Sequence, residues 1–130
     1  MHARFTGIVL FVRPHRENDG LVKIFTQEYG TKMFFVRGLN RPNNLLKSQL
    51  LPLTENDYVG IINDEGLSFL NEGITRTFFH QVQLDIVRQA FGVYFSQLVD
   101  ASLEDNLPNP AVYKLLKRCL QALEIGRAHV

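Results

Sequence analysis

Cysteine is nearly absent: Cys119 stands alone in 130 residues. One thiol excludes a disulfide framework within this chain and a zinc cluster built from its own cysteines. Long apolar runs are missing too. No stretch approaches the ~20 apolar residues that a membrane-spanning helix needs. The apolar run Ile8–Val12 behind Met1–Gly7 is too short for a signal peptide, and no cleavage site follows it. A cytoplasmic location is the expectation. No Ser-His-Asp arrangement and no phosphate-cradling glycine loop is evident, and His2, His15 and His80 are isolated. Between Gly30 and Thr54 there is no acidic residue at all.

What is present allows a real core, since 45% of the residues are hydrophobic. The length fits one domain, or one small domain plus part of another. A net charge of +1 hides an asymmetry. Residues 1–50 hold eight Lys/Arg against three Asp/Glu, residues 51–105 hold two against nine, and residues 106–130 hold four against one. A basic first part and an acidic middle read as two surfaces with different partners, or simply as a soluble acidic face.

The first part alternates short strands with turns. Phe5–Arg13 is β-branched and aromatic and stops at Pro14. Asp19-Gly20 marks a turn, Leu21–Thr26 and Thr31–Val36 read as a hairpin around Glu28-Tyr29-Gly30, and Tyr58–Asn63 pairs with Leu67–Glu72 through Asp64-Glu65-Gly66. Leu50–Leu53 is a further apolar stretch. Five short strands in roughly 75 residues predict a small closed barrel of the OB-fold type. The fold class is therefore α+β: a five-stranded barrel over residues 1–77, then an incomplete helical domain over residues 78–123.

A basic turn, Arg37 to Lys47, leaves the third strand. Gly38 and Pro42 break regular structure, and Asn40, Asn43 and Asn44 tolerate turn conformations. Arg37, Arg41 and Lys47 carry charge with no acid among them, so a mobile cationic loop suited to a polyanion is expected. Strand alternation sets Lys23 beside Phe25 and Lys32 beside Phe34. Two readings stay open for the rings: base-stacking positions flanked by phosphate-binding lysines, or ordinary barrel filling. The lysines cannot sit unpaired in a dry core, so their face is expected to be partly wet.

From Phe78 to Leu103, Val82, Ile86, Phe91, Phe95, Leu98 and Val99 recur at helical spacing, predicting one long helix with a break near Gly92. Asn109 and Pro110 carry the N-cap and first-turn chemistry of a second helix, with Val112, Leu115, Leu116, Cys119 and Leu120 as its apolar stripe. The last residues, Ile125 to Val130, match a translation of the common sequencing-adapter run ATC-GGA-AGA-GCA-CAC-GTC. Residues 124–130 are therefore expected to be a non-native tail, with the native chain continuing beyond Leu123.

Taken in order, Gly7-Ile8-Val9-Leu10, the run Arg16–Gly30, Arg37-Gly38 with Arg41-Pro42, and Leu107-Pro108-Asn109-Pro110 resemble the bacterial RecO family of DNA repair proteins. The resemblance implies an OB-fold followed by a helical domain that carries a zinc site in many members. With one cysteine here, no cofactor is expected in this chain, and the zinc ligands would lie in a missing part. It also implies a non-enzymatic recombination mediator in the nucleoid. Such a protein binds single- and double-stranded DNA without reading sequence and anneals strands. It works with RecR and the single-strand-binding protein SSB to help load RecA.

Under that reading Lys23, Lys32, Arg37, Arg41 and Lys47 neutralise phosphates, Arg13 and Arg16 assist at the first turn, and Phe34 stacks on a base. A second reading is a protein-interaction adaptor that uses the acidic surface and exposed helix faces. A third, a two-metal nuclease built from Glu17, Asp19, Asp57, Asp64 or Glu65, needs converging carboxylates, and these acids share no spacing.

Overall fold

Strand β1, His2–His15, is apolar on both faces, and the architecture follows from that. In the computed structural model, which describes residues 1–126, Phe5 and Val9 turn inward and pack with Val22, Ile24, Phe34, Val36 and Tyr58. Ile8 and Leu10 turn outward and join Phe25, Leu53, Val82, Val99, Tyr113, Leu116 and Leu120. One strand thus serves two cores, inside the barrel and between barrel and helices. A register shift between Val9 and Phe11 re-aims the strand where the two meet.

The barrel is completed by β2 (Asp19–Thr26), β3 (Gly30–Val36), β4 (Glu55–Ile61) and β5 (Ser68–Thr77). Its order is β1-β2-β3-β5-β4, closed, with β3 and β5 joined in parallel through Phe34↔Ser68 and Phe35↔Phe69. This is the five-stranded OB-type barrel that the turn spacing predicted. β1 and β5 run longer than expected, β4 begins and ends earlier than Tyr58–Asn63, and Asp19-Gly20 opens β2 because the turn is made by residues 16–18. Leu50–Leu53 is not a strand: a 3-10 turn covers Lys47–Leu50, and Leu53, at φ 69°, turns its side chain fully into the second core.

Three helices follow: α1 (His80–Leu84), α2 (Ile86–Ser102) and α3 (Pro110–Ile125). The break expected near Gly92 falls at Asp85 instead. Asp85 is extended, and its carboxylate accepts hydrogen bonds from the N–H groups of Val87 and Arg88, which starts α2 afresh. Gly92 lies inside α2 for packing reasons. A Cβ there would come within 2.7 Å of Leu53 Cδ1, so glycine lets the helix seat against the barrel. Asn109 caps α3 as its sequence predicts, accepting from Val112 N–H at 3.1 Å, with Pro110 behind it.

Two polar clusters add to the apolar seam between barrel and helices. In the first, Lys23 Nζ on β2 lies 2.7 Å from Asp100 and 2.9 Å from Asp105. Asp105 also accepts from Thr31 Oγ1 at 2.7 Å, and Asn106 N–H donates to Thr31 O. Gly30, at φ 73°, lets Leu107 lie directly on the β2–β3 turn. Partial burial opposes the charge on Lys23, but the hydrogen bonds and attraction of Asp100 and Asp105 outweigh it, and the lysine pKa is raised. Burial likewise opposes the Asp105 carboxylate, and Lys23 and Thr31 outweigh it, so its pKa is lowered.

The signs define a window. The Asp105 contribution is full above the ordinary carboxylate pKa and is lost as pH falls through its lower folded-state value. The Lys23 contribution is full below the ordinary lysine pKa and is lost as pH rises through its higher folded-state value. The Tm difference between the protein and Lys23→Met should be largest between those limits and shrink beyond either. A difference that stays flat from acid to alkaline pH would remove the ion pair from the stability of the fold.

In the second cluster, Glu55 is 1% exposed on β4. It accepts from Tyr113 Oη at 2.7 Å and Thr77 Oγ1 at 3.0 Å, and lies 3.1 Å from Lys117 Nζ. α3 is thereby fastened to the barrel. At its far end Glu124 accepts from the N–H groups of Gln81 and Val82, closing the start of α1. Residues 127–130, part of the segment expected to be non-native, lie outside the described residues. Among the described residues no helix is long and apolar enough to cross a membrane.

Candidate nucleic-acid interface

The loop after β3 is pinned rather than mobile. Gly38 N–H donates to Asp19 Oδ1 at 2.8 Å, and Asn40 N–H to Asn18 O at 2.9 Å, which ties the loop to the β1–β2 turn. Asn44 acts as an internal brace: its Nδ2 donates to Gly38 O and its Oδ1 accepts from Leu46 N–H. Leu39 and Leu50 are buried and plug the barrel beneath. What the loop leaves in solvent is charge. Arg37, Arg41 and Lys47 are exposed, and no carboxylate among the described residues lies within ion-pair distance of them.

Register brings the first turn to the same end. His15 pairs with Asp19 and Gly20 with Val36, so Arg13 and Arg16 stand beside the start of the basic loop. Arg13 is exposed, with its guanidinium lying over the Phe11 ring at 4.5 Å. Arg16 is exposed at φ 58° on the turn. Glu17 is the exposed acid of this group, while Asp19 is occupied by the loop backbone. Five cations therefore gather at one end of the barrel.

The other three expected residues are placed elsewhere, and strand register is the reason. Val22↔Phe34 and Ile24↔Lys32 face the barrel interior, whereas Lys23↔Met33 and Leu21↔Phe35 face outward. The two lysine-aromatic pairs lie on opposite sides of the sheet and cannot form one surface. Phe34 is 0% exposed and stacked on Phe5 at 5.6 Å, so its ring is barrel filling and not a base-stacking position. Lys32 is 4% exposed, with Nζ donating to Asn63 O at 2.8 Å. The expected wet face is absent around it. Lys23 is consumed by Asp100 and Asp105. Those partners lie 77 and 82 positions along the chain, and nothing local in the sequence points to them.

The acids considered for metal chemistry do not converge. Asp57 accepts from Thr6 Oγ1 and pairs with Arg76 at 3.2 Å, and Asp64 and Glu65 sit exposed on the β4–β5 turn. No group of three or more His, Cys, Asp or Glu that could hold a metal occurs among the described residues. Cys119 alone does not fit a structural zinc site, which takes four ligands.

Comparison with known proteins agrees with this architecture. The family described as Recombination protein O N terminal matches residues 1–79, and Recombination protein O C terminal matches residues 83–129. The chain is 45% identical over 117 residues to the DNA repair protein RecO of Enterococcus faecalis, covering 90% of this chain and 45% of that protein. It is 39% identical over 124 residues to the protein of the same name from Lactiplantibacillus plantarum, covering 95% and 48%. For Streptococcus sanguinis the identity is 38% over 120 residues, covering 92% and 46%. The chain thus spans about half the length of the curated relatives it matches. By fold and by both family matches, the chain belongs to the recombination protein O family of DNA repair proteins.

Proposed function

We propose that this chain is the DNA-engaging part of a recombination mediator. The basic end of the barrel holds the phosphates of single- and double-stranded DNA without reading sequence. Annealing follows when one cationic surface holds two strands together and lowers their mutual repulsion. Work alongside RecR and SSB in loading RecA belongs to the same reading, as does the absence of bond-breaking chemistry. The observation that carries it is the set Arg37, Arg41 and Lys47, free of carboxylates on a loop braced against the β1–β2 turn.

Replacing Arg37, Arg41 and Lys47 together by glutamine should weaken binding to every sequence alike. It should flatten the dependence of log K on log salt by ~0.7 per lost phosphate contact on single strands and ~0.9 on duplex. Lys114→Gln with Arg118→Gln, which removes exposed cations from α3, is the control. An unchanged slope in the triple variant would exclude the loop.

A second reading, a protein-interaction adaptor, is favoured by the outer face of α2. Ile86, Val87, Phe91, Tyr94 and Leu98 are exposed there, on an arc with no charged residue. Co-elution with purified RecR or SSB, without DNA binding at physiological salt, would favour it.

A further inference from the structure

Barrel register lines up a second set of side chains beside the cationic end. Arg13 on β1 pairs with Leu21 on β2, Leu21 with Phe35 on β3, and Phe35 with Phe69 on β5. These four form a row across the sheet on its outer face, because register partners point to the same side. Phe69 is 40% exposed, although large apolar side chains favour burial. Phe35 and His15 are half-buried. The rings touch in sequence: His15 meets Phe35 edge-on at 5.9 Å, and Phe35 meets Phe69 edge-on at 6.2 Å.

The helices leave Leu21, Phe35 and Phe69 outside the core they share with the barrel, and only Arg13 borders the groove between β1 and α2. The helices take the neighbouring part of the outer face, where Lys23 reaches Asp100 and Phe25 meets Tyr113. Arg13 stands at one end of the aromatic row, and Arg37 follows Phe35 by two residues. Asp19, across from His15, is turned to the Gly38 N–H, so its carboxylate does not face the rings unpaired.

We propose that His15, Phe35 and Phe69 form a stacking ledge for the unpaired bases of single-stranded DNA, with Arg13 and Arg37 holding the flanking phosphates. The inference rests on the phosphate-binding reading above and extends it to the bases. Flat rings accept any base face without hydrogen-bond readout, so the ledge distinguishes strandedness and not sequence. A duplex keeps its bases stacked inside and presents phosphates alone to the same surface. The ledge also takes the place of the Phe34 position expected from sequence: in a strand the neighbour of an inward ring points out.

The test uses the full chain and three fluorescent probes of equal length: a thymidine oligonucleotide, the same backbone made abasic, and a duplex. The protein should bind the thymidine strand about tenfold or more tighter than the abasic strand. Phe35→Leu with Phe69→Leu keeps the apolar bulk and removes the rings. It should erase that preference while leaving abasic affinity, duplex affinity and salt slope unchanged. His15→Leu should reduce the preference in part. Equal binding of thymidine and abasic strands by the unaltered protein would overturn the ledge while leaving the phosphate reading intact. A preference that survives the double leucine variant would also overturn it. Failure to bind any of the three probes would sink both readings.

Discussion

Phe34→Ala should lower the free energy of unfolding by about 3–5 kcal/mol, the range for removing a fully enclosed aromatic ring. The ring lies inside the barrel between Phe5, Val22 and Val36, and no solvent reaches it. Its removal forfeits apolar burial and leaves a cavity that closed strands cannot collapse to fill. Urea denaturation would show a lower midpoint at unchanged slope. Well below the melting temperature, affinity for single-stranded DNA per folded molecule should stay constant, since the ring is not on the surface. The opposite pattern, intact stability with a loss of ~1–3 kcal/mol in strand binding, would restore Phe34 as a stacking residue and contradict the packing described.

Glu55→Ala should cost about 1–3 kcal/mol for each buried donor it leaves without an acceptor. The buried Tyr113 hydroxyl and Thr77 would lose their acceptor, and Lys117 would lose its counter-charge. Burial is already the main reason the Tyr113 hydroxyl pKa is pushed up, with the Glu55 charge reinforcing it, so a bare phenolate offers no escape. Tyr113→Phe alone should cost about 1–2 kcal/mol, and the double variant should fall short of the sum of the singles. Strict additivity across that cycle would show that Glu55 and Tyr113 act independently.

Much of the architecture was legible because its signals are local. The Glu28-Tyr29-Gly30 turn and the pair Asn109-Pro110 decide their own backbone, and the elements beside them inherit their limits, whereas Asp19-Gly20 opens β2 instead of turning. The helix break was misplaced because glycine is ambiguous: Gly92 reads as a breaker, but its role is to admit Leu53, a contact made 39 positions away. Asp85 carried the true stop signal in its capping chemistry.

The candidate site was half legible for a related reason. Exposure of Arg37, Arg41 and Lys47 follows from a turn that cannot be buried. The fates of Lys23 and Lys32 depend on which face each strand presents, and that is set by pairing across the hairpin. The acidic middle of the chain misled in the same way. Glu55, Asp57, Asp85, Asp100 and Asp105 are all engaged in ion pairs within the fold, which leaves less of a free acidic surface than a charge count implies.

The double use of β1 has a consequence for where this protein can be divided. The sequence changes character at Phe78, and both family matches meet near there. A knife placed at that junction would nonetheless strip Ile8, Leu10 and Phe25 of their cover and leave the cylinder with an oily flank. The seam is a border of composition and of the two family matches; the apolar core behind β1 runs across it and joins strands to helices.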